Sequence, residues 1–317
     1  MKKLTILIPA YNEAENLPEL RRRLELVFDG MRSRVEPEYI LLDNRSSDRT
    51  PEIARSFCAQ NPQWKYIRYS RNFGYHNSLA CGFDLATGDA LIVVAGDIQE
   101  PPEKIPEMVD LWEKDHQVVY GILQKRNDND PVKSIGAWLF YRLLFSISGD
   151  NAPKNATDFR LIDRKVIDVV RRMREPDRYL RALVQWTGFN QAPFQYDRAP
   201  RTRGKSVATF WYGVKWGINA IISFSTVPLR LATYFGLIVL IGSFVFGLYF
   251  LLAHFIPALS GTRPPTGTTA ILVLLSFAIG LNAFFLGIIG EYVGRSYAQG
   301  KERPLYIIDE AINIKVE

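Results

Sequence analysis

Short apolar runs alternate with helical patterns along the first part of the chain. Runs typical of buried strands lie at Leu4–Ile8, Tyr39–Asp43, Lys65–Tyr69, Ala90–Val94 and Val118–Gly121. Between them, apolar residues recur at helical spacings, which predicts helices at Asn16–Phe28, Pro51–Ala59, His76–Ala86 and Pro102–Lys114. This β-α-β-α order predicts an α/β domain over residues 1–205, with a mostly parallel sheet and helices on both faces.

Polar side chains follow the predicted strands at the points where they end. They are Tyr11, Asn12 and Glu13 after the first strand, Asp43 and Asn44 at the second, Arg71 and Asn72 after the third, and Asp97 after the fourth. Ligands of open α/β sheets bind beyond the carboxyl ends of the strands. The sequence therefore predicts a binding site at this edge of the sheet.

Two long runs in the last third of the chain carry no charged residue, Leu231–Ala253 and Thr268–Gly290. Each is long enough to cross a hydrocarbon layer of about 30 Å as a helix. We predict membrane spans over residues 229–256 and 268–290, joined by an extracytoplasmic loop at 257–267. Apolar helices can also be buried in a large soluble core, but the flanking basic and aromatic residues favour a membrane. Asn282, a polar side chain inside the second run, should face the other span or a neighbouring subunit.

The segment before the first span is rich in aromatic residues and contains a single charge, Lys215. This composition predicts an amphipathic helix lying in the membrane interface over residues 206–228. A core helix of the soluble domain is the alternative. Residues 291–317 follow the second span as a tail.

The charge distribution predicts the orientation of the spans. The net charge is +6, and six basic residues but no acidic one lie between Arg198 and Arg230. Arg263 is the charged residue of the short loop, so the positive-inside rule places both flanks in the cytoplasm. A basic patch can also bind nucleic acid, but this one adjoins a span, where it meets anionic lipid. The apolar stretch at the N-terminus is too short for a signal peptide, so we expect the first domain to be cytoplasmic.

The candidate chemistry is carried by carboxylates rather than by cysteine or histidine. Cys58 and Cys81 lack metal-ligand spacing, which disfavours a zinc site or a disulfide framework and predicts two small buried residues. A carboxylate can accept hydrogen bonds from the N–H groups of uracil or guanine. With another oxygen ligand it can hold Mg²⁺ or Mn²⁺, which bridge phosphates.

Six motifs occur in the order seen in a known family. They are Pro9-Ala10-Tyr11-Asn12-Glu13, Asp43-Asn44-Arg45-Ser46-Ser47-Asp48, Arg71-Asn72-Phe73-Gly74, Gly96-Asp97-Ile98-Gln99-Glu100-Pro101-Pro102, Asp158-Phe159-Arg160-Leu161 and Arg201-Thr202-Arg203-Gly204-Lys205-Ser206. The chain thereby resembles family-2 GT-A glycosyltransferases. Within them it is most similar to the polyisoprenyl-phosphate glycosyltransferases, the dolichol-phosphate mannose synthase and bactoprenol glucosyltransferase group. The resemblance covers nearly the whole chain, including two C-terminal spans and the tail motif Arg303-Pro304-Leu305-Tyr306.

The resemblance implies a role for each matching position. The implied donor-binding residues are Pro9, Ala10, Tyr11, Glu13, Asp43, Arg45, Arg71, Asn72 and Gly96. Asp97 and Gln99 would hold the Mg²⁺ or Mn²⁺ ion beside the diphosphate, and Asp97 and Asp158 are the implied catalytic residues. Arg160, Arg201 and Ser206 would contact a phosphate of the donor or the acceptor. Arg126 and Lys133 are either surface charges or groups that steer the lipid phosphate.

The chain departs from the family pattern around the metal site. Ala95 stands where the family has the first aspartate of Asp-X-Asp, Glu100 replaces a later aspartate, and Asn44 replaces the second aspartate of Asp-Asp-Gly-Ser. Tyr75 and Val207 stand where lysines are usual. One carboxylate fewer should weaken the metal site, unless diphosphate oxygens and water complete it or Arg45 binds the phosphates instead. The departures fit either an unusual sugar donor or an inactive relative.

Several of these residues also have ordinary structural interpretations. Asp43 or Asp48 could cap the helix that begins near Thr50, and Asn72 and Gly74 are common turn formers. Asp158 could instead be an ion-pair partner of Arg160 or Arg164.

The expected reaction is an inverting transfer of a sugar from a nucleotide donor, expected to be uridine-linked, to a polyisoprenyl phosphate. It would take place at the cytoplasmic face of a bacterial inner membrane, catalysed by a two-pass protein that could form homo-oligomers. A processive polysaccharide synthase would need a Gln-X-X-Arg-Trp motif, and Val184-Gln185-Trp186 lacks the arginine. A donor-binding scaffold without catalysis is the third hypothesis, suggested by Asn44 and Ala95.

Overall fold

The protein was analysed as a computed structural model that describes residues 1–123, 156–173, 175, 178–198, 227–255 and 267–316. The chain divides into two compact units. The first unit comprises Met1–Phe145, Asp150–Thr209 and Arg303–Glu317, and the second comprises Ser146–Gly149 and Phe210–Glu302. The predicted interfacial helix lies almost entirely outside the described residues, as does the loop between the spans.

The described part of the first unit is an α/β domain. Its strands are β1 (Lys2–Ala10), β2 (Val35–Asp43), β3 (Trp64–Tyr69), β4 (Ala90–Val93), β5 (Val118–Leu123), β6 (Ala156–Asp163), β7 (Gln191–Tyr196) and β8 (Ile308–Ile312). Its helices are α1 (Leu17–Asp29), α2 (Thr50–Gln60), α3 (Tyr75–Leu85), α4 (Ile105–Glu113), α5 (Arg164–Arg172) and α6 (Leu180–Trp186), with a 3-10 turn at Pro102–Lys104. The strands and helices predicted before residue 121 are all present, with ends shifted by a few residues.

The sheet has the strand order β7-β5-β6-β4-β1-β2-β3-β8. The pairs that join β4, β1, β2 and β3 are parallel, as predicted. The pair of β5 and β7 is parallel as well, so four of the seven pairs in the described sheet agree with the prediction of a mostly parallel sheet. The other three pairs are antiparallel, because β6 runs antiparallel to both β4 and β5, and β8 runs antiparallel to β3. The sheet is therefore mixed. The antiparallel direction of β6 brings its first residues to the edge at which β4 ends.

The core of this unit follows from the apolar runs. Ile6, Leu41 and Ile92 on neighbouring strands are at most 1% exposed. Fully burying a side chain of this size stabilises the fold by about 1.5–3 kcal/mol relative to leaving it exposed. Cys58 and Cys81 are both free and buried, as predicted.

A buried carboxylate connects the central strands. Glu38 on β2 is 1% exposed and accepts hydrogen bonds from the hydroxyls of Thr5 (2.5 Å) and Thr87 (2.6 Å) and from Lys65 Nζ (2.5 Å). Burial by itself would raise the pKa of Glu38, but the bonds from Lys65, Thr5 and Thr87 lower this pKa to about 2. The network joins β1, β2, β3 and the turn before β4, which supports the observed order of these strands.

The described part of the second unit consists of two apolar helices, α7 (Val227–Phe255) and α8 (Gly267–Gly300). Within α8, Phe277–Gly300 is long and apolar enough to cross a bilayer, and α7 contains a shorter apolar stretch, Ala232–Val245. The described side chains do not resemble those of a soluble core helix, since Phe244 is 72% exposed and Leu286 is 66% exposed.

Two details of α8 were not predicted. The helix continues to Gly300, beyond the predicted end of the span at residue 290. Asn282 donates a hydrogen bond from Nδ2 to the carbonyl of Ala278 (2.9 Å) in its own helix. That this side chain faces the other span or a neighbouring subunit stays a prediction.

The C-terminal segment is an integral part of the first unit. Ile308–Ile312 forms the edge strand β8, whose partners on β3 run from Tyr66 to Tyr69. The sequence predicted only a tail over residues 291–317. An isolated strand of five residues gives little periodic signal, and its partner lies far away along the chain.

Candidate functional site

Three loops meet at the carboxyl edge of the parallel strands. The amide of Asn44, after β2, donates to the carbonyl of Ala10 at the end of β1 (3.0 Å). The amide of Gly96, after β4, donates to the carbonyl of Pro9 (3.2 Å), and the amide of Asn12 donates to Ser46 Oγ (3.0 Å). The predicted gathering of polar residues at this edge is therefore present in the fold.

Each of these loops contains a non-glycine residue in the left-handed region. The φ angles are 57° at Asn12, 64° at Arg45 and 59° at Ile98. This conformation is unfavourable for most residues and especially for a β-branched residue such as Ile98. Backbone of this kind persists only where the surrounding contacts fix it, and it is frequent at ligand sites.

Gly96 allows the loops after β1 and β4 to approach closely. A Cβ atom at this position would lie 3.2 Å from the carbonyl oxygen of Pro9 and 3.3 Å from Cγ of Glu13. The predicted donor-binding residues Pro9, Glu13 and Gly96 thus lie against one another, because Gly96 has no side chain.

Asp43 is fully buried beneath these loops. Its carboxylate accepts hydrogen bonds from the amide of Ser46 (2.8 Å) and the hydroxyl of Tyr66 (2.8 Å), and Arg68 Nε lies 3.6 Å away. Burial and the charge of Asp43 raise the pKa of Tyr66. Asp43 therefore shapes the loop rather than capping α2. Asp48 accepts a hydrogen bond from the amide of Thr50 (3.0 Å), the first residue of α2, while the N-cap position is Arg49.

A second group of ionisable residues lies at the ends of β4 and β6. Glu100 is 5% exposed, and its carboxylate accepts a hydrogen bond from the amide of Ala95 (3.0 Å). Burial, together with the charges of Asp158 and Asp97, raises the pKa of Glu100 to about 7, against the hydrogen bond from Ala95. Burial and the charges of Asp158, Glu100 and Asp97 also raise the pKa of Tyr75. The charges of the predicted catalytic residues Asp97 and Asp158 thus both raise the pKa values of Glu100 and Tyr75.

Asp158 is held by an arginine that the sequence did not reveal. Arg181, on α6, contacts both carboxylate oxygens of Asp158, from Nε at 3.1 Å and from Nη2 at 2.8 Å. Burial would raise the pKa of Asp158, but Arg181, Arg160 and His76 lower it below its ordinary value. The alternative pairing with Arg164 is wrong, since that side chain binds the carbonyls of Ala86 and Gly88.

Arg160 lies beside this pair and is 5% exposed. Its guanidinium donates from Nε to the carbonyl of Thr157 (2.8 Å) and from Nη1 to the carbonyl of Arg181 (3.4 Å). Burial lowers the pKa of Arg160 to about 10, which leaves it protonated at neutral pH. It therefore keeps a positive charge next to Asp158, while its contact with a phosphate remains a prediction.

The other predicted residues lie at the rim or outside the described chain. Asn72 accepts a hydrogen bond from the amide of Gly74 (2.8 Å), and φ is 86° at this glycine, so the interpretation of both as turn formers is confirmed. Arg71 lies over the ring of Phe73 at 4.2 Å. Four predicted phosphate-binding residues lie outside the described residues: Arg126, Lys133, Arg201 and Ser206.

The residues at the predicted metal site fit a hard cation with few protein ligands. Asp97 and Gln99 supply oxygen atoms, and the amide of Gln99 donates to Asp97 Oδ1 (3.3 Å), which keeps the two residues in one turn. In the described part of the chain, no three His, Cys, Asp or Glu side chains form a group suited to a metal ion. Diphosphate oxygens and water would have to complete the coordination, as Mg²⁺ sites allow.

Three residues were missed as site members by the sequence analysis: Tyr75, Glu100 and Arg181. Tyr75 and Glu100 lie inside recognised motifs, where they replace the usual residues, so the substitutions themselves were the signal. Arg181 follows no motif. Only the packing of α6 against α3 and α5 brings it to Asp158.

The chain was then compared with known proteins. The family described as Glycosyl transferase family 2 matches residues 5–171. The uncharacterized glycosyltransferase YkcC of Bacillus subtilis is 35% identical over 98% of this chain and 94% of its own length. The prophage bactoprenol glucosyl transferase homolog of Escherichia coli and the bactoprenol glucosyl transferase of Shigella phage SfV are each 31% identical, over 96% of this chain and 98% of theirs.

A solved structure shows the same type of fold. The glucosyl-3-phosphoglycerate synthase of Mycobacterium tuberculosis, in a complex with Mn²⁺, UDP-glucose and phosphoglyceric acid, superposes with a TM-score of 0.52. The match covers 70% of this chain and 79% of the synthase, at 17% sequence identity.

Replacing Arg181 by leucine should reverse the shift of the Asp158 pKa, because burial would then lose its main opposing charge. In the native protein the lowered pKa of Asp158 stabilises the fold above about pH 4, which is the ordinary pKa of an aspartate. This contribution disappears as the pH falls through the pKa that Asp158 has in the folded state. We expect R181L to cost about 1–3 kcal/mol at pH 7, less than for a fully buried pair because both side chains are about one quarter exposed. The loss should shrink as the pH falls below about 4, through the folded-state pKa of Asp158.

Thermal unfolding of the detergent-purified protein at several pH values measures this difference. R49L is the matched control, because Arg49 and its partner Glu52 are 81% and 69% exposed and should contribute little at any pH. A loss of stability in R181L that is equal at about pH 3 and at about pH 8 would contradict the electrostatic explanation.

Proposed function

The chain belongs to glycosyl transferase family 2, and from this premise we propose that it transfers a sugar from a nucleotide-sugar donor to a polyisoprenyl phosphate. The observation that carries the proposal is the extent of the similarity to bactoprenol glucosyl transferases. The relative from Shigella flexneri is 31% identical over 98% of both chains. Such an alignment includes the apolar helices and the C-terminal segment as well as the sugar-transferring domain.

The proposed donor site is the junction of the loops after β1, β2 and β4. Asp43 would bind the base through the lone pairs that Ser46 and Tyr66 leave available, while Pro9, Ala10, Tyr11 and Glu13 would line the pocket. A uridine-linked donor is supported by the fold relative that was crystallised with UDP-glucose. Arg45, Arg71 and Asn72 lie at the exposed rim and would contact the rest of the donor.

The proposed reaction is a single displacement at the anomeric carbon. An oxygen of the lipid phosphate forms the new bond to this carbon, and the bond to the nucleoside diphosphate breaks, so that the electron pair leaves with the diphosphate and the configuration inverts. A phosphate monoester has its second pKa at about 6, so the nucleophile is largely ionised near neutral pH. The reaction therefore needs no strong general base.

The state of Asp158 fits this chemistry. Its lowered pKa makes it a poor proton acceptor, while Arg181 fixes the orientation of its carboxylate. We propose that Asp158 orients the sugar or the acceptor and stabilises positive charge that develops on the ring in the transition state. Positioning and electrostatics, rather than proton transfer, would then supply most of the rate enhancement.

Asp97 and Gln99 are the proposed metal ligands. A bound Mg²⁺ or Mn²⁺ ion would neutralise charge that develops on the leaving diphosphate. The small number of protein ligands implies weak binding in the absence of nucleotide, because the diphosphate itself supplies part of the coordination.

The two apolar helices support a location at a membrane. We propose a two-pass topology, in which α7 and α8 both cross the bilayer, the loop at 257–267 is extracytoplasmic and the α/β domain is cytoplasmic. The chain passes from the end of α8 at Gly300 to β8 at Ile308 through a short connection. An acceptor phosphate at the headgroup level would then be available to a domain that is tethered to the same surface.

Replacement of either proposed catalytic residue should abolish transfer. We expect D97A and D158A to lose at least about 1,000-fold in rate, since both residues act on the reacting centre. The assay incubates membranes containing each variant with radiolabelled nucleotide sugars and undecaprenyl phosphate and measures label in the organic phase. E52A is the control, because Glu52 is 69% exposed and lies on α2. Full activity of D97A or D158A would remove that residue from the mechanism.

The same assay separates the competing functions. Label in the organic phase supports transfer to lipid, whereas label in an aqueous polymer supports a polysaccharide synthase. Absence of label with every donor supports a donor-binding scaffold, the hypothesis that Asn44 and Ala95 suggest.

Removal of divalent metal should stop the reaction reversibly. We expect EDTA to abolish transfer and Mn²⁺ or Mg²⁺ to restore it, with Q99A needing roughly 10-fold more metal than the wild type because one oxygen ligand is lost. The metal concentration that gives half-maximal transfer is the measured quantity. An unchanged metal requirement in Q99A would contradict the assignment of Gln99 as a ligand.

The topology can be tested by labelling with a membrane-impermeant maleimide. Both native cysteines are buried and should react slowly. We expect T262C in the predicted loop to be labelled in intact spheroplasts, and the cytoplasmic control R49C only after permeabilisation. Equal protection of both positions in intact spheroplasts would exclude the two-pass arrangement with an outer loop.

A further inference from the structure

The C-terminal segment is attached to the α/β domain at several points. Tyr306 donates a hydrogen bond to Asp84 on α3 (3.0 Å), and Asn313 Nδ2 donates to the carbonyls of Cys58 (3.0 Å) and Trp64 (2.9 Å). Glu310 forms two hydrogen bonds of 2.8 Å with Arg55 on α2. These contacts fix the position of β8 along β3, so each of its side chains faces a defined neighbour.

The pairing of β8 with β3 contains one irregularity. Arg68 pairs with Glu310 and Tyr69 pairs with Ile308, so Asp309 has no partner of its own in the ladder. A bulge of this kind adds a residue to one strand, changes the direction of its side chains and often lies beside a functional site. Asp309 is the residue that the bulge redirects.

The side chain that Asp309 meets belongs to the loop after β2. Asp309 forms an ion pair with Nη1 of Arg45. The loop itself is fixed on both sides of this arginine, by the bond from Asn44 to Ala10 and by the bond from Ser46 to Asp43. The C-terminal strand therefore contacts the same loop that provides Asp43 to the proposed donor site.

The exposure of this pair indicates what it does. Arg45 and Asp309 are 46% and 47% exposed, and ion pairs that are half exposed contribute little to folding stability. A long arginine side chain at the mouth of a site, however, loses much conformational entropy when it binds a ligand, and a partner that holds it beforehand reduces this loss. The guanidinium has five N–H donors, so those not used by Asp309 remain for a phosphate.

We propose that the C-terminal strand completes the donor site, with Asp309 acting as a positioning residue that holds Arg45 in place for the diphosphate of the nucleotide donor. This inference rests on the proposed function. It adds to the site a residue from the far end of the chain, beyond both apolar helices. Arginine suits the task because its planar group binds phosphate oxygens in pairs.

The test measures nucleotide binding by the full-length protein in detergent. Titration calorimetry with UDP and GDP, each with Mn²⁺, gives Kd without requiring the lipid acceptor. We expect D309N to raise Kd for the preferred nucleotide by about 3- to 10-fold, the effect of ordering one long side chain on binding. D309E should restore most of the affinity, and D309N should have no further effect in an R45Q background.

E310Q is the matched control. It removes an ion pair of the neighbouring residue on the same strand, but this pair joins β8 to α2 rather than to the donor loop. We expect its Kd to equal that of the wild type. In transfer assays, D309N should raise KM for the donor and leave kcat within about twofold, whereas simple detachment of the strand would lower the active fraction and hence kcat.

Each outcome decides the inference. If D309N binds the nucleotide as tightly as the wild type or more tightly, the inference is overturned and the proposed function stands. The same holds if E310Q loses as much affinity as D309N. Failure of the wild type to bind either nucleotide would overturn both the inference and the proposed donor site.

Discussion

The parallel pairing of β1 with β2 and with β4 is the constraint on which the candidate site depends. It brings three strand ends to one edge, where Asn44 donates to the carbonyl of Ala10 and Gly96 donates to the carbonyl of Pro9. These bonds satisfy backbone groups that the strands leave unpaired. They also hold the loop after β2, which follows Asp43, and the loop after β4, which contains Asp97, against the same end of β1.

Charge organises the site that these loops create. Asp97, Glu100 and Asp158 lie near enough to influence common neighbours, and such a group of carboxylates is costly to bury unless cations compensate it. Arg181 provides this compensation at Asp158, while Glu100 binds a proton more readily because it is buried. A metal cation at Asp97 would also compensate the negative charge of this group, which accords with a metal site of few protein ligands.

The fold also explains why a membrane enzyme would return its chain to the catalytic domain after the apolar helices. β8 pairs with β3 and is itself the edge strand of the sheet. The same strand carries Asp309 to the loop after β2. The last strand of the sheet and the proposed completion of the donor site thus come from one segment.

Much of the fold could be predicted from local patterns. The alternation of buried strands and amphipathic helices up to residue 121 depends on periodicity within each segment, and the polar residues at the strand ends follow from the direction of a parallel sheet. Asp48 was recognisable as a possible cap because a capping side chain lies next to the helix that it serves. The apolar helices were visible because crossing a bilayer requires a long run without charge.

The sequence by itself determined where the strands up to residue 121, the polar loops that follow them and the apolar helices lie, because each of these signals is carried by neighbouring residues. Only the tertiary structure decided that β6 runs antiparallel beside β4, that Arg181 rather than Arg164 binds Asp158, and that Asp309 meets Arg45. These choices depend on contacts between segments far apart in the chain. Many pairings of charged residues are compatible with the same composition, and it is the packing of the sheet and helices that selects among them.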